Sequence, residues 1–396
     1  MEPAAARDMN RSEVLWALLQ HGVLTREQIA RATELSAATV SRLVDGLVAE
    51  GLVRERGTLP TGRPGRRVSP VEFVSQVGAA VGVDIGGSNC RFIASDLLGN
   101  VLRQFCGETP TSLGAQHLAG WVVSRVRSLV TDIPLRAVAI GLPGVVHPGA
   151  SSSVWGAPNL PQVEGEDFVK ALREQVEFPV IFDNDSNFAV LGEMRLGAAR
   201  GRTSATMLTI GTGLGAGVVV GGQLLRGDGG FVGEFGYIPV GADGEPLEQV
   251  LSARWLVAKA RQLGIDLANP APLFSRRPPR SLSGLRRRFE QGLLLVLSII
   301  ASAYDPEVIV LGGGVSSSLE ENVLPRVGTR LKEMLPISPV IAVSQLGDVA
   351  GAIGALVLAL HEAYVQLGVE RSRLDGYVGM RLAEHVQPQA MTKHVP

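Results

Sequence analysis

Three apolar patterns of helical period open the chain. Over residues 12–20, Val14, Leu15, Leu18 and Leu19 share one face. Over 25–32, Thr25 stands in the cap position with Gln28 three residues on, the spacing of a capping box. Over 36–50 the repeat runs Val40, Leu43, Val44, Leu47 and Val48. Thr33-Glu34-Leu35-Ser36 has the length of the turn in a helix-turn-helix. It sets Ser36, Ala37, Ala38, Thr39, Ser41 and Arg42 at the front of the third helix, small and polar residues suited to a DNA groove. Strand-like stretches at 51–56 and 68–70 then flank a glycine- and proline-rich loop, the pattern of a wing.

From Val77 the texture changes to apolar strands that end in glycine or acidic turns. Residues 78–84 lead into Ile85-Gly86-Gly87-Ser88-Asn89, 137–140 into Gly141-Leu142-Pro143-Gly144, and 180–182 into Asp183-Asn184-Asp185. Further on, 206–210 lead into Gly211-Thr212-Gly213 and 308–311 into Gly312-Gly313-Gly314. Strands with such ends belong to α/β folds that hold ligands at strand termini. The reading is an α/β protein with an N-terminal winged helix-turn-helix over 1–72, a larger domain over 73–381 and a flexible tail over 382–396. Residues 269–287, rich in Pro and Arg, read as a surface loop or helix connection. The apolar runs at 293–301 and 349–360 are too short to span a bilayer, and the charged N-terminus is no signal peptide, so no membrane partner is expected.

Composition sharpens this picture at one place. The chain has 396 residues, 45% hydrophobic and 19% charged, with 48 glycines and a formal net charge of -1. Bulk charge therefore cannot hold it to nucleic acid, and any DNA contact must be local. Between residues 51 and 70, Arg54, Arg56, Arg63, Arg66 and Arg67 face Glu55 alone. Of these, Arg63, Arg66 and Arg67 lie in the loop and can reach phosphates or a narrow minor groove. Two cysteines, Cys90 and Cys106, without histidines at ligand spacing, support neither a disulfide framework nor a cysteine zinc site, which fits the cytoplasm.

Asp84 ends a strand and is followed by Gly86, Gly87 and Ser88, a turn whose amides can approach phosphate oxygens. Gly211, Thr212 and Gly213 offer a second such turn, and Gly312, Gly313 and Gly314 a third where a nucleoside can rest. Each alone is equally a turn that needs glycine for its backbone. Asp185 follows an apolar strand, where a carboxylate can accept a proton from a sugar hydroxyl attacking a γ-phosphate; an Asx turn or helix cap for 188–196 is the structural alternative.

Taken in order, Asp84-Ile85-Gly86-Gly87-Ser88, Gly141-Leu142-Pro143-Gly144, Asn184-Asp185, Gly211-Thr212-Gly213-Leu214-Gly215, Gly233-Glu234-Phe235-Gly236, Val310-Leu311-Gly312-Gly313-Gly314 and residues 346–355 resemble the ROK family of repressors and sugar kinases. The resemblance covers about residues 10–370, including the winged helix of the family's regulators. It implies an actin/hexokinase-like sensor of two α/β lobes with a sugar in the cleft. By the same resemblance Asn159, Asn184 and Asp185 would bind the sugar, Asp185 would be the catalytic base of a kinase, and Glu234 and Glu248 would accept further hydroxyls. The family's Glu-x-Gly-His is Glu234-Phe235-Gly236-Tyr237 here, and its cysteine-rich zinc loop is replaced by 241–248 without a cysteine, so no zinc is expected.

Two functions from different classes follow. One is a transcriptional regulator of carbohydrate metabolism whose binding to double-stranded operator DNA is modulated by a sugar or sugar phosphate. The other is an ATP- and magnesium-dependent sugar kinase carrying a DNA-binding module. Wing-type readers usually pair on two half-sites, so a homodimer or homotetramer is expected.

Overall fold

The computed structural model describes residues 3–57, 59–60, 67–149 and 152–374. Helices α1 (Pro3–His21), α2 (Arg26–Thr33) and α3 (Ala37–Ala49) form the expected small bundle. Of the expected apolar positions Val14, Leu15, Leu18, Val40 and Val44 are fully buried, joined by Ile29 of α2, while Leu43 is half-buried and Val48 is exposed. The capping box is complete, with the Gln28 amide donating to Thr25 Oγ1 (3.1 Å) and the Thr25 amide donating to Gln28 Oε1 (2.8 Å). Ser36 caps α3 by accepting from the Thr39 amide at 3.2 Å.

Strand β1 (Val53–Glu55) pairs antiparallel not with 68–70 but with β4 (Val71–Phe73); β2 (Leu59–Pro60) and β3 (Arg67–Val68) extend the same hairpin. Pro70 has no N–H to donate, so the ladder breaks there and resumes at Val71, which also exchanges hydrogen bonds with Leu24.

Two sheets of identical order follow. The first runs β11-β8-β5-β6-β7, from β5 (Ala79–Ile85), β6 (Asn89–Asp96), β7 (Val101–Glu108), β8 (Leu135–Leu142) and β11 (Val180–Asn184); a small hairpin, β9 (Val145–Val146) with β10 (Val154–Trp155), interrupts the sequence between β8 and β11. The second runs β14-β13-β12-β17-β18, from β12 (Ala205–Ile210), β13 (Leu214–Val220), β14 (Gln223–Leu225), β17 (Val308–Gly312) and β18 (Val340–Val343). In each, the first strand pairs antiparallel with the second and parallel with the fourth. This is the two-lobed symmetry that the glycine turns only hinted at.

Helices α4 (Ala115–Leu129) and α5 (Asp167–Arg173) cover the outer face of the first sheet. The second lobe adds a hairpin of β15 (Pro239–Val240) and β16 (Glu245–Pro246), then α7 (Glu248–Leu251), α8 (Ala253–Gln262), α9 (Ala271–Phe274), α10 (Ser283–Tyr304) and α11 (Leu324–Met334). The stretch 269–287 is thus a connection partly folded onto the lobe, where Phe274 meets Phe289 at 4.6 Å between ring centroids.

Between the lobes lie α6 (Asp185–Leu196) and α12 (Ala350–Gln366), with α13 (Arg371–Leu374) beyond. The apolar run at 349–360 proves longer than the sequence reading allowed. Residues Gly347–Gln366 form a 20-residue stretch, sufficient in length for a bilayer, with an 18-residue window of mean hydropathy 1.4, but 72% of that window is buried inside the protein. Its apolarity is that of a central core helix. Small residues bring the helices together: a Cβ on Gly354 would lie 1.7 Å from the Phe188 carbonyl oxygen, so only glycine permits this approach.

The C-terminal end of α12 carries the winged helix. Arg11 donates to the Leu367 carbonyl, the Glu370 amide donates to Ser12 Oγ (2.8 Å), and Arg373 pairs with Glu13. One continuous buried cluster joins Leu15 and Leu18 of α1 to Leu360 and Tyr364 of α12. The expected tail at 382–396 lies outside the described residues.

Candidate functional site

A cleft of about 560 Å³ opens between the lobes. The first lobe lines it with Gly86, Gly87, Ser88, Asn159, Asn184 and Asp185, and the second with Gly211, Thr212, Gly213, Glu234, Tyr237 and Glu248. These residues span more than 160 positions of sequence, and the two sheets bring their strand ends together.

The β11–α6 junction shows how local sequence sets the chemistry. Asn184, not Asp185, is the cap: its Oδ1 accepts from the amides of Ser186 (2.8 Å) and Asn187 (3.2 Å), while its Nδ2 donates to the Gly144 carbonyl (2.9 Å). That frees Asp185, the first residue of α6, to face the cleft. Asp183 braces the junction from behind, accepting from Asn187 Nδ2 (2.7 Å) and from Arg226 Nε of the other lobe (2.7 Å).

The cleft is acidic, and the carboxyls feel one another. Burial pushes Asp185 up, while hydrogen bonds from the Ser186 amide and hydroxyl oppose it. Glu234 is pushed up to about 7 by burial and by the charges of Asp185 and Glu248. Asp84, at the end of β5 beside Gly351 of α12, also rises to about 7, through burial and the neighbouring Asp185, against the pull of Arg91. Groups poised near neutrality hold or release protons at little cost, which suits hydrogen bonding to hydroxyls in either sense.

Glu248 begins α7 and accepts from the Leu214 amide at 3.3 Å. Arg254, which the sequence reading missed, donates to Asn159 Oδ1 (3.2 Å) and Glu248 Oε1 (3.4 Å), tying the two walls together. It is the sole side-chain cation among the residues lining the cleft. Its distance from Glu248 gave no signal, because the chain turns at the buried Ser252 between α7 and α8.

Four expected residues stand apart. Asp84 lies behind the Gly86–Ser88 turn rather than on the cleft surface, and Gly312, Gly313 and Gly314 do not line the cleft. Gly313 has φ +81 and packs its Cα against the Ile210 carbonyl, so its turn supports the Gly211 turn from below. Segment 241–248, where the resemblance placed a cysteine-rich loop, is largely the β15–β16 hairpin, with Arg288 paired to Glu245.

On the winged helix, Ser36, Ala37 and Arg42 are exposed and Thr39 and Ser41 half-buried. Ser36 Oγ and Thr39 Oγ1 lie 2.9 Å apart, so part of this polar front is committed to the cap. Arg54 and Arg56 are both held by Glu72 of β4, at 2.6 and 2.7 Å, which the window 51–70 had left out of the charge balance. The wing's excess charge therefore rests on Arg63, Arg66 and Arg67; Arg63, Arg66 and the Arg67 side chain lie outside the described residues.

Comparison with known proteins agrees with this layout. The MarR family matches residues 9–64 and the ROK family residues 80–362. The xylose repressor of Bacillus subtilis is 25% identical over 88% of this chain and 94% of its own length. A ROK family glucokinase from Streptomyces griseus, solved with glucose and AMPPNP, is 30% identical over 71% of this chain and 99% of that one, with a TM-score of 0.59. A ROK family transcriptional regulator, a homolog of the E. coli MLC protein, superposes with a TM-score of 0.75 over 92% of this chain and 99% of its own at 18% identity, a likeness of fold. The ROK match alone spans well over half of the 396 residues, and the chain belongs to the ROK family.

Proposed function

We propose that this protein is a cytoplasmic transcriptional regulator in which residues 1–72 read operator DNA and residues 73–381 sense a sugar or sugar phosphate. The observation that carries this reading is the junction of a winged helix, through one continuous core, to a cleft lined by short polar side chains. Asn159, Asn184, Asp185, Glu234 and Glu248 are the hydroxyl partners. A buried hydroxyl left unpaired costs roughly 1–3 kcal/mol, so this set selects polyols. Ser36, Ala37, Thr39, Ser41 and Arg42 face the major groove, and Arg63, Arg66 and Arg67 the phosphates. Two copies on two half-sites would respond to lobe closure through their spacing.

The test is a fluorescence-anisotropy titration against DNA from upstream of the protein's own coding sequence, across a panel of sugars and sugar phosphates. Binding should fall or rise with one compound. Alanine at Arg63, Arg66 and Arg67 together should lower the slope of log affinity against log salt by up to about 3. No binding under any condition overturns the regulator.

One observation keeps a kinase reading in view: Asp185 faces the same cleft as the Gly211–Gly213 turn. Asp84, Gly86, Gly87, Ser88, Gly211, Thr212, Gly213 and the Gly312–Gly314 turn behind them would then hold ATP with magnesium, and Asp185 would take the proton of the attacking hydroxyl. Sugar-dependent ATP consumption that disappears in Asp185→Asn supports it, and its absence in the parent protein ends it.

A further inference from the structure

The chain is poor in aromatic residues, at 5% of its length, yet three of them are spent on one stretch of surface. Trp155 is 63% exposed, Phe231 56% and Tyr237 58%, and these are the exposed large aromatic side chains among the described residues. All three connect to the cleft, Tyr237 directly and the other two through their neighbours. Tyr237 lines the cleft itself. Its hydroxyl covers Gly156, where a Cβ would come within 2.7 Å, and Gly156 directly follows Trp155 and also lines the cleft. On its other side the Tyr237 ring faces Phe231, with centroids 5.6 Å apart and planes inclined by 38°.

The positions of these rings are built. Trp155 sits on β10, paired with Val145, and its indole N–H donates to Ser153 Oγ at 3.2 Å. Gly230, with φ +78, packs against the Val146 carbonyl and so fixes Phe231 beside the same hairpin. Trp155 belongs to the first lobe and Phe231 and Tyr237 to the second. The rim is thus assembled from both walls.

Exposed aromatic area of this kind costs solubility and is kept where something covers it. Continuity with an acidic, hydroxyl-pairing cleft fixes what that is. A pyranose ring presents a face of C–H groups between its equatorial hydroxyls, and such a face stacks on an aromatic ring whose electron-rich surface meets the C–H edges. A second ring joined to a sugar held by Asn159, Asp185, Glu234 and Glu248 can pass Tyr237, which lines the cleft, and reach this rim. We infer that the rim of Trp155, Phe231 and Tyr237 is a second saccharide subsite, and that the effector is a disaccharide or longer glycoside with one ring in the cleft and the next on the rim. This rests on the sugar-sensing reading above.

The test is calorimetric titration of the full chain with glucose, galactose, xylose and N-acetylglucosamine, and with α- and β-linked disaccharides of each. At least one disaccharide should bind ten times more tightly than any of the monosaccharides. In Trp155→Ala and Phe231→Ala, both surface changes, that advantage should shrink to less than threefold, while monosaccharide affinity stays within twofold of the parent. A monosaccharide as the tightest ligand overturns the subsite and leaves sugar sensing intact. Absence of binding by every sugar overturns both. If the two variants instead change the sedimentation coefficient and keep the disaccharide advantage, the rim is a contact between copies and the inference fails.

Discussion

Glu234 is a carboxyl whose ionised form the fold disfavours, and the consequence is measurable. Its folded value of about 7 lies above the ordinary 4.5, so the group contributes no penalty below pH 4.5 and destabilises increasingly as pH rises to 7. Glu234→Gln removes that penalty. Its melting temperature should exceed the parent's at pH 8, by the equivalent of up to about 3 kcal/mol, and match it near pH 4.5. Equal melting at pH 8 would mean that neither burial nor the charges of Asp185 and Glu248 disfavour ionised Glu234. Individual residues of the cleft were legible to different degrees. Asp185 stood out by its place at the end of an apolar strand, and Asn159, Asn184, Glu234 and Glu248 only through the resemblance to the ROK family, whereas Arg254 and the exposed Trp155 carry no local pattern. Their roles come from neighbours far along the chain.

At the level of elements, packing against a neighbour decides what a glycine is for. Gly354 of α12 meets the Phe188 carbonyl, and Gly354→Ala should destabilise the protein by about 3 kcal/mol or more because the two central helices must part. Gly46 is also helical, but a Cβ there meets nothing within 4 Å, and Gly46→Ala should stabilise by about 0.5–1 kcal/mol. Chemical denaturation of the two variants separates the cases; equal effects would deny the tight seam between α6 and α12. Both glycines look alike in sequence. The capping box at Thr25 and Gln28 was legible, by contrast, since its partners are three residues apart. The second wing strand was misplaced by three residues because register depends on which strand answers it across the hairpin.

For the whole molecule, the decisive feature is that the winged helix is not tethered by a loose linker. Leu15 and Leu18 share a core with Leu360 and Tyr364, and Arg11, Ser12 and Glu13 bond to the chain at Leu367, Glu370 and Arg373. Calorimetry should therefore show the winged helix and the first lobe unfolding in one transition. Arg373→Ala combined with Ser12→Ala should split it or lower it, and two separate transitions in the parent would refute the continuous core. The same helix, α12, touches Asp84 through Gly351 near the cleft and reaches the winged helix at its far end, a span that no sequence window encloses. By itself the sequence determined the order of the domains, the helix caps, the strands that end in turns and the acidic residues beside them, all of which depend on spacings of a few residues. Only the tertiary structure decided which of those turns line one cleft, that Glu72 neutralises two wing arginines, and that α12 is a core helix. Those outcomes depend on pairing between distant segments, where burial and Coulomb energy are set by neighbours that local periodicity does not encode.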